Sequence, residues 1–170
     1  SSTGTITGLY LGSMRAPGYL NIYNNMIGGL NASSVSSTAA IFGIYVLGAN
    51  VNTTGIYNNT VFLDATSGGA EFGGAGLYLR NYVKTYDLRN NIVVNTSTPR
   101  GSGKVTAILT ETVNFGNLSF FSNNNNYCAG ISSPQKLIFS DGTNFDQTLR
   151  QYQSRVFPRE YLSVTELSPF

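Results

Sequence analysis

The residues that could carry chemistry in this chain are its acids, because it has no histidine and a single cysteine. Histidine is the usual general base near neutral pH and the commonest metal ligand. Without it, Cys128 lacks the partner that activates a nucleophilic thiol, and a buried structural thiol is the favoured interpretation. Calcium-assisted catalysis needs several carboxylates on one ion, and a glycosidase needs two facing one bond. Whether the eight acids meet in this way depends on the elements that carry them.

A segment built around a pair of asparagines recurs along the chain. It reads IYNNMI at residues 22–27, IYNNTV at 56–61 and LRNNIV at 88–93, with a looser copy around Asn124 and Asn125. The steps between copies are 34, 32 and 34 residues. A Gly-apolar-Tyr-apolar segment precedes the first three pairs, at 8–11, 43–46 and 76–79. Such a period, with three short alternating strands per repeat, predicts stacked β-structure in which no unit buries its apolar face alone.

The predicted fold class is therefore all-β, a single-stranded parallel β-helix of four to five rungs of roughly 33 residues. Its expected hand is right, as in almost all parallel crossovers. We predict rungs over residues 1–145, a short helix over 146–157 and a return strand or tail over 158–170, all in one domain. In the helix, Leu149, Tyr152 and Val156 share a face, with Asp146 as N-cap. Strand-like sequence follows the helix, which favours decoration of the last rung over a cap on the coil.

Strand alternation predicts which asparagine of each pair points inward. Alternate residues of a strand share a face, and the first asparagine is in phase with apolar residues such as Ile56. Inward amides stacked about 4.8 Å apart can each donate to the carbonyl oxygen of the next rung. Asparagine also tolerates the left-handed backbone of a tight bend. We therefore predict an interior amide ladder, with the second asparagine of each pair facing out or shaping the turn. The predicted ladder residues are Asn24, Asn58, Asn90 and Asn124.

Placed on these rungs, the acids do not gather. Asp87 has only Asn21 and Gly55 at the matching positions of the neighbouring rungs. Glu111 aligns with Arg80 of the preceding rung, which predicts an ion pair worth about 0–1 kcal/mol if exposed. We therefore expect a non-catalytic protein without a cofactor or metal site.

Exposed tyrosines are the best candidates for a contact surface. Tyr10, Tyr45 and Tyr78 should form one outward column, and Tyr23 with Tyr57 should begin a second. Such a column can stabilise the coil by stacking on itself, or it can contact another protein or a glycan. A cluster of bases in the third repeat offers either a solvated face or a contact for an anionic glycan. These bases are Arg80, Lys84 and Arg89.

The two repeated segments, together with SNNNNY at 122–127 and LIFSDGT at 137–143, resemble the right-handed parallel β-helix repeats of large secreted bacterial surface proteins of the adhesin type. More distantly, they are similar to pectate-lyase-like proteins. The resemblance implies an extracellular or cell-surface location on a bacterium. It implies a structural role, or alternatively a polysaccharide lyase-like or glycan-binding module.

The composition of the chain limits which classes of binding partner are expected. Charged residues make up 11 % of the chain and the net charge is +2, with scattered bases, which predicts no nucleic-acid partner. No stretch approaches the roughly 20 apolar residues of a membrane span. Uncovered terminal rungs would expose unpaired backbone groups. We therefore expect a structural module of an extracellular surface protein or of a self-assembling filament. Its expected partners are further copies of the chain, joined end to end or laterally, or the rest of a longer chain. Surface glycans are further candidate partners.

Overall fold

The computed structural model describes residues 2–13, 18–48, 51–111 and 115–167. It is a β-solenoid of about four turns, formed by short strands that recur in the same order. The first turn contains β1 (Ile6–Leu11), β2 (Gly18–Tyr23) and β3 (Met26–Ile27). The second contains β4 (Ser37–Val46), β5 (Val51–Tyr57) and β6 (Thr60–Leu63). The third contains β7 (Phe72–Leu79), β8 (Thr85–Arg89) and β9 (Ile92–Asn95). The remaining elements are β10 (Val105–Thr110), one 3-10 turn at Phe115–Asn117, β11 (Asn126–Cys128), β12 (Lys136–Ser140), β13 (Phe145–Asp146) and α1 (Leu149–Val156).

Equivalent strands of successive turns pair in parallel and form three sheets. Their orders are β1-β4-β7-β10-β12-β13, β2-β5-β8 and β11-β9-β6-β3. The register follows the sequence repeat, so that Tyr10 lies beside Tyr45 and Tyr45 beside Tyr78. The predicted parallel coil is confirmed. Among the described strands, β12 and β13 pair in antiparallel fashion, and this pair ends the parallel order of the largest sheet.

The core lies inside the coil, where the apolar residues of each strand face the other sheets. Ile44, Ile56, Leu77 and Leu88 are completely buried. Gly76 opens one of the repeated Gly-apolar-Tyr-apolar segments because it faces inward at a crowded corner. A Cβ atom there would lie 2.3 Å from the Cγ1 atom of Val93. The glycine of the motif is thus required by close packing between sheets.

Helix α1 begins at Leu149, and its N-cap is Thr148, not the predicted Asp146. Thr148 has extended backbone, accepts a hydrogen bond from the Gln151 amide and completes a capping box with the Gln151 side chain. Asp146 instead lies in β13, where its carboxylate accepts two 2.7 Å hydrogen bonds from Arg155. The predicted buried face of Leu149, Tyr152 and Val156 is confirmed.

Helix α1 packs against the C-terminal part of the core, and its role as a decoration of the last rung stays a prediction. Tyr152 stacks on the inward ring of Phe139, with centroids 5.0 Å apart and planes at 17°. After the helix, Val164 pairs in parallel with Asn126 and so adds part of a further turn. Residues 168–170 of the predicted tail lie outside the described ranges. Within those ranges, no helix has the length and apolar character that crossing a membrane requires.

Candidate functional site

The most regular polar feature of the molecule is an amide ladder, and the second asparagine of each pair forms it. Asn25 donates from Nδ2 to Oδ1 of Asn59 over 2.9 Å. Asn59 donates in the same way to Asn91 over 3.0 Å, and Asn91 to Asn125 over 2.9 Å. Each receiving Oδ1 also accepts the backbone N–H of the preceding ladder asparagine. The ladder therefore has a direction, with donors pointing toward the C-terminal end.

The predicted ladder residues Asn24, Asn58, Asn90 and Asn124 are the wrong members of their pairs. All four are exposed and have φ between 54° and 58°. A left-handed residue turns the chain sharply, so strand alternation does not continue through it. The side chain that enters the interior is consequently that of the next residue. The expectation that the bend needs a left-handed asparagine is confirmed.

The ladder ends at Glu160, whose side chain is completely buried. Its carboxylate accepts from Asn125 Nδ2 at 3.0 and 3.3 Å, from the Tyr127 hydroxyl at 3.2 Å and from the Ser163 hydroxyl. Burial raises the pKa of this carboxyl above its ordinary value, and the hydrogen bonds that it accepts offset only part of that rise. The motif search missed Glu160, although it lies 35 residues after Asn125, about one further repeat.

The predicted tyrosine column stacks on itself. The rings of Tyr10 and Tyr45 meet edge to face at 5.0 Å, and those of Tyr45 and Tyr78 lie 4.7 Å apart. Arg80 joins this column, since it donates to the Tyr45 hydroxyl at 3.1 Å and pairs with Glu111 at 2.6 Å. Burial, with the nearby Glu111 carboxylate, raises the pKa of Tyr78 to about 12. The 2.6 Å contact confirms the predicted ion pair of Arg80 with Glu111, and Arg80 links this pair to the tyrosine column.

A second outward column runs from Tyr23 through Tyr57 to Arg89, which lie in register on β2, β5 and β8. Tyr23 is 60 % exposed. The Tyr57 hydroxyl donates to Asp87 Oδ2 at 3.0 Å, and Arg89 donates from Nε to Asp87 Oδ1 at 2.8 Å. The Arg89 guanidinium also lies 5.7 Å from the centre of the Tyr57 ring. Asp87 therefore links the side chains of Tyr57 and Arg89 in this column.

The three bases of the third repeat do not converge on one site. Arg80 follows β7 and Arg89 ends β8, so they belong to different sheets, and each is engaged in an ion pair. Lys84 lies exposed in the connection between those strands. Their charges therefore serve mainly the contacts of their own sheets.

Most of the acids are also engaged within the chain. The Glu71 carboxylate accepts from the backbone amide and the hydroxyl of Ser102 at 2.7 and 2.8 Å, and these bonds lower its pKa. Asp141 accepts from the amides of Thr143 and Asn144 in its own turn. Cys128 is a buried free thiol. Within the described residues, no three histidine, cysteine or acidic side chains are grouped so that they could hold a metal ion.

One groove on the outer face of the largest sheet was not predicted. It has a volume of about 400 Å³, and Lys104, Thr106, Ser140 and Phe145 contribute to its lining. Lys104 Nζ lies 5.1 Å from the centre of the Phe145 ring. Thr106 is buried, and its hydroxyl has no hydrogen-bond partner among the described residues. Residues from β4, β7, β10 and the β12–β13 segment line this groove, and β13 lies outside the repeated motifs.

Comparison with protein-family models, with curated proteins and with solved structures found no match for this chain. Its fold is therefore established by its own strand pairing, as a parallel β-solenoid made of repeats. The resemblance to secreted bacterial surface repeats remains an expectation drawn from the Asn-Asn and Gly-apolar-Tyr-apolar motifs.

Proposed function

We propose that this chain is a non-catalytic structural module of an extracellular surface protein, built by the stacking of its rungs. The proposal is supported by the way in which the repeated polar residues hydrogen-bond to one another between turns. Asn25, Asn59, Asn91 and Asn125 bond to one another across turns. The repeated residues therefore hold successive turns together, and a chain of this kind is suited to be a rigid spacer.

The acids support the same role. Six of the eight carboxylates accept hydrogen bonds or form ion pairs within the chain; they are Glu71, Asp87, Glu111, Asp141, Asp146 and Glu160. A catalytic carboxylate must instead reach a substrate atom at hydrogen-bond distance.

The location is the part of the proposal that a cell experiment tests directly. An antibody raised against the purified chain should label intact cells of the organism that produces it, with a cytoplasmic protein as the matched negative control. Mild protease treatment of intact cells should remove the label. Labelling that appears only after the cells are permeabilised would contradict the extracellular role.

The groove favours one alternative, a glycan-binding role. An aromatic ring beside a cation suits a sugar ring that bears a carboxylate. Titration with an acidic oligosaccharide, followed by amide chemical shifts, should then perturb β10 and β13, and Phe145→Ala should abolish the perturbation. Release of unsaturated products from an acidic polysaccharide would go further and identify a lyase. Absence of both effects would remove this alternative.

A further inference from the structure

A turn that the repeat does not require projects from the side of the solenoid. Tyr86 and Arg89 of β8 pair in parallel with Leu118 and Asn123 of the next turn. The chain takes three steps between these pairing positions in β8 and five steps in the next turn. Two extra residues cannot lie flat beside β8, so the chain bulges outward between the two bridges.

The tip of this turn consists of two phenylalanines. Phe120 and Phe121 are 70 % and 71 % exposed. The Ser122 amide donates to the Ser119 carbonyl at 3.1 Å and closes the turn. The Ser119 and Ser122 hydroxyl oxygens accept from the amides of Phe121 and Leu88 at 3.1 and 3.0 Å, so both serines hold the turn in place. Two large rings exposed side by side on an ordered turn indicate a contact outside the chain.

The rings are exposed although the turn lies within the stack. On one side of it lies β8, and on the other lie residues 159–163. The Glu160 amide donates to the Ser122 carbonyl at 2.9 Å, and the Leu162 amide donates to Asn123 Oδ1 at 2.8 Å. Further turns at either end of the coil would stack along its axis and would leave this side uncovered.

Each ring has an arginine against its face. The guanidinium carbon of Arg159 lies 4.3 Å from the centre of the Phe120 ring, and that of Arg89 lies 5.1 Å from the centre of the Phe121 ring. Both distances are typical of cation–π contacts. Arg89 pairs with Asp87, whereas Arg159 donates only to two backbone carbonyls among the described residues. The apolar tip therefore has a collar of two cations and one carboxylate, which is positive overall.

From this arrangement, we infer that the Phe120–Phe121 turn binds a lipid surface that carries anionic headgroups. The two rings enter the boundary between headgroups and acyl chains, where aromatic side chains are favoured. The charges of Arg89 and Arg159 stay at the level of the lipid phosphates and attract them. The inference goes beyond the proposed structural function, which names no ligand.

The shape of the turn favours a fluid surface over a soluble ligand. A small ligand binds in a concave site that buries most of its surface and offers a few placed polar groups. The two rings instead project from a convex turn, and the hydroxyl oxygens of Ser119 and Ser122 already accept backbone amides. A protein partner would need a cavity that matches the rings, whereas lipids rearrange around inserted side chains.

The chain contains no tryptophan, so one substitution creates a unique fluorescent probe. Phe120→Trp places the probe at the tip. Ile131→Trp is the matched control, because Ile131 is 88 % exposed and lies outside the turn. Vesicles of equimolar phosphatidylcholine and phosphatidylglycerol should shift the emission of the Phe120→Trp variant to shorter wavelength, and brominated acyl chains should quench it. Neither effect is expected for the control.

Sedimentation with the same vesicles measures the contribution of each group. Phe121→Ser should weaken binding about tenfold, because the variant loses part of the transfer free energy of a phenylalanine ring, and Ile131→Ser should leave binding unchanged. Arg159→Gln should weaken binding severalfold, whereas Arg159→Lys keeps the charge and should retain it. Unfolding in urea shows that each variant is folded.

An unshifted Phe120→Trp emission, equal vesicle binding by Phe121→Ser and wild type, or equal binding by the two Arg159 variants would overturn the inference. Full competition by soluble glycerol phosphate would also overturn it, because a free headgroup would then suffice. A dimer in solution that Phe121→Ser dissociates, without vesicle binding, would identify a second copy of the chain as the occupant instead. Surface labelling of cells does not depend on any of these results, so the two proposals can fail separately.

Discussion

The amide ladder makes a sharp prediction about two neighbouring asparagines. Asn91 is 1 % exposed, and its side chain takes part in four hydrogen bonds that link three turns. Asn90 precedes it directly, is exposed and supplies the left-handed bend. We predict that Asn91→Leu is strongly destabilising and that Asn90→Leu is not.

The magnitude follows from the partners that are left behind. In Asn91→Leu, the backbone N–H of Asn59 loses its acceptor inside the protein, which costs about 1–3 kcal/mol. The other three bonds contribute roughly 1 kcal/mol each, although Asn59 Nδ2 keeps its bonds to Ile22 and Tyr57. The expected loss in the free energy of unfolding is about 3–6 kcal/mol. In Asn90→Leu, a non-glycine residue without a local side-chain hydrogen bond remains left-handed at φ 56°, which costs about 1 kcal/mol.

Urea unfolding followed by far-ultraviolet circular dichroism measures both changes, with the wild-type chain in the same buffer. The two variants introduce the same side chain at adjacent positions, so their difference reports the position alone. A loss in Asn90→Leu that equals or exceeds the loss in Asn91→Leu would refute the assignment of the ladder. A loss below about 1 kcal/mol in Asn91→Leu would show that the ladder contributes no more than a surface contact does.

Three further changes test other parts of the stack. Because burial raises the pKa of Glu160 in the folded state, its stabilising contribution is complete below its ordinary pKa of 4.5 and is lost as the pH rises through the folded value. Glu160→Gln should therefore gain stability relative to wild type as the pH rises, measured as the difference between the two unfolding midpoints from pH 4 to pH 8; a constant difference would contradict the shift. Thr54→Val should raise the unfolding free energy by about 1 kcal/mol, since the buried Thr54 hydroxyl has no partner in the described structure; a lower unfolding free energy would indicate that the hydroxyl is bonded. Gly76→Ala should lower the free energy of unfolding by about 1–3 kcal/mol because the new Cβ atom meets Val93. In the control variant Gly28→Ala, the nearest contact of the new Cβ atom is 3.5 Å away, so its free energy of unfolding should lie within about 0.5 kcal/mol of wild type in the same urea titration.

The sequence repeat predicted the coil because residues that lie one repeat apart become neighbours when successive turns pair in parallel. Tyr10, Tyr45 and Tyr78 stand at matching places in three segments, and parallel pairing brings them together. The Arg80 to Glu111 contact followed from the same count. What alternation could not give was the inward asparagine. The prediction assumed that the inward and outward alternation of strand side chains continues through the bend. A left-handed residue interrupts this alternation, and so the prediction chose Asn90 over Asn91.

The ends of the coil were harder to predict, because each depends on residues outside the repeated motif. Asp146 and Thr148 are both good N-cap residues, and only the Gln151 three positions after Thr148 distinguishes them. The groove around Thr106 depends on β13 folding back onto β12, which no periodicity encodes. Sequence reasoning thus describes the middle of a repeat protein well, where each turn has a copy of itself as a neighbour.

The choice of glutamate at position 160 follows from the chemistry of ending a ladder. Asn59, Asn91 and Asn125 each both donate and accept along the ladder, so an asparagine at position 160 would receive the Asn125 amide and leave its own Nδ2 without a further described turn to donate to. A buried, unpaired donor costs about 1–3 kcal/mol. An ionised carboxylate only accepts, and here it also receives the hydroxyls of Tyr127 and Ser163. Desolvation of the charge opposes this arrangement, which is why the pKa of Glu160 is raised. The carboxylate therefore terminates the ladder chemically.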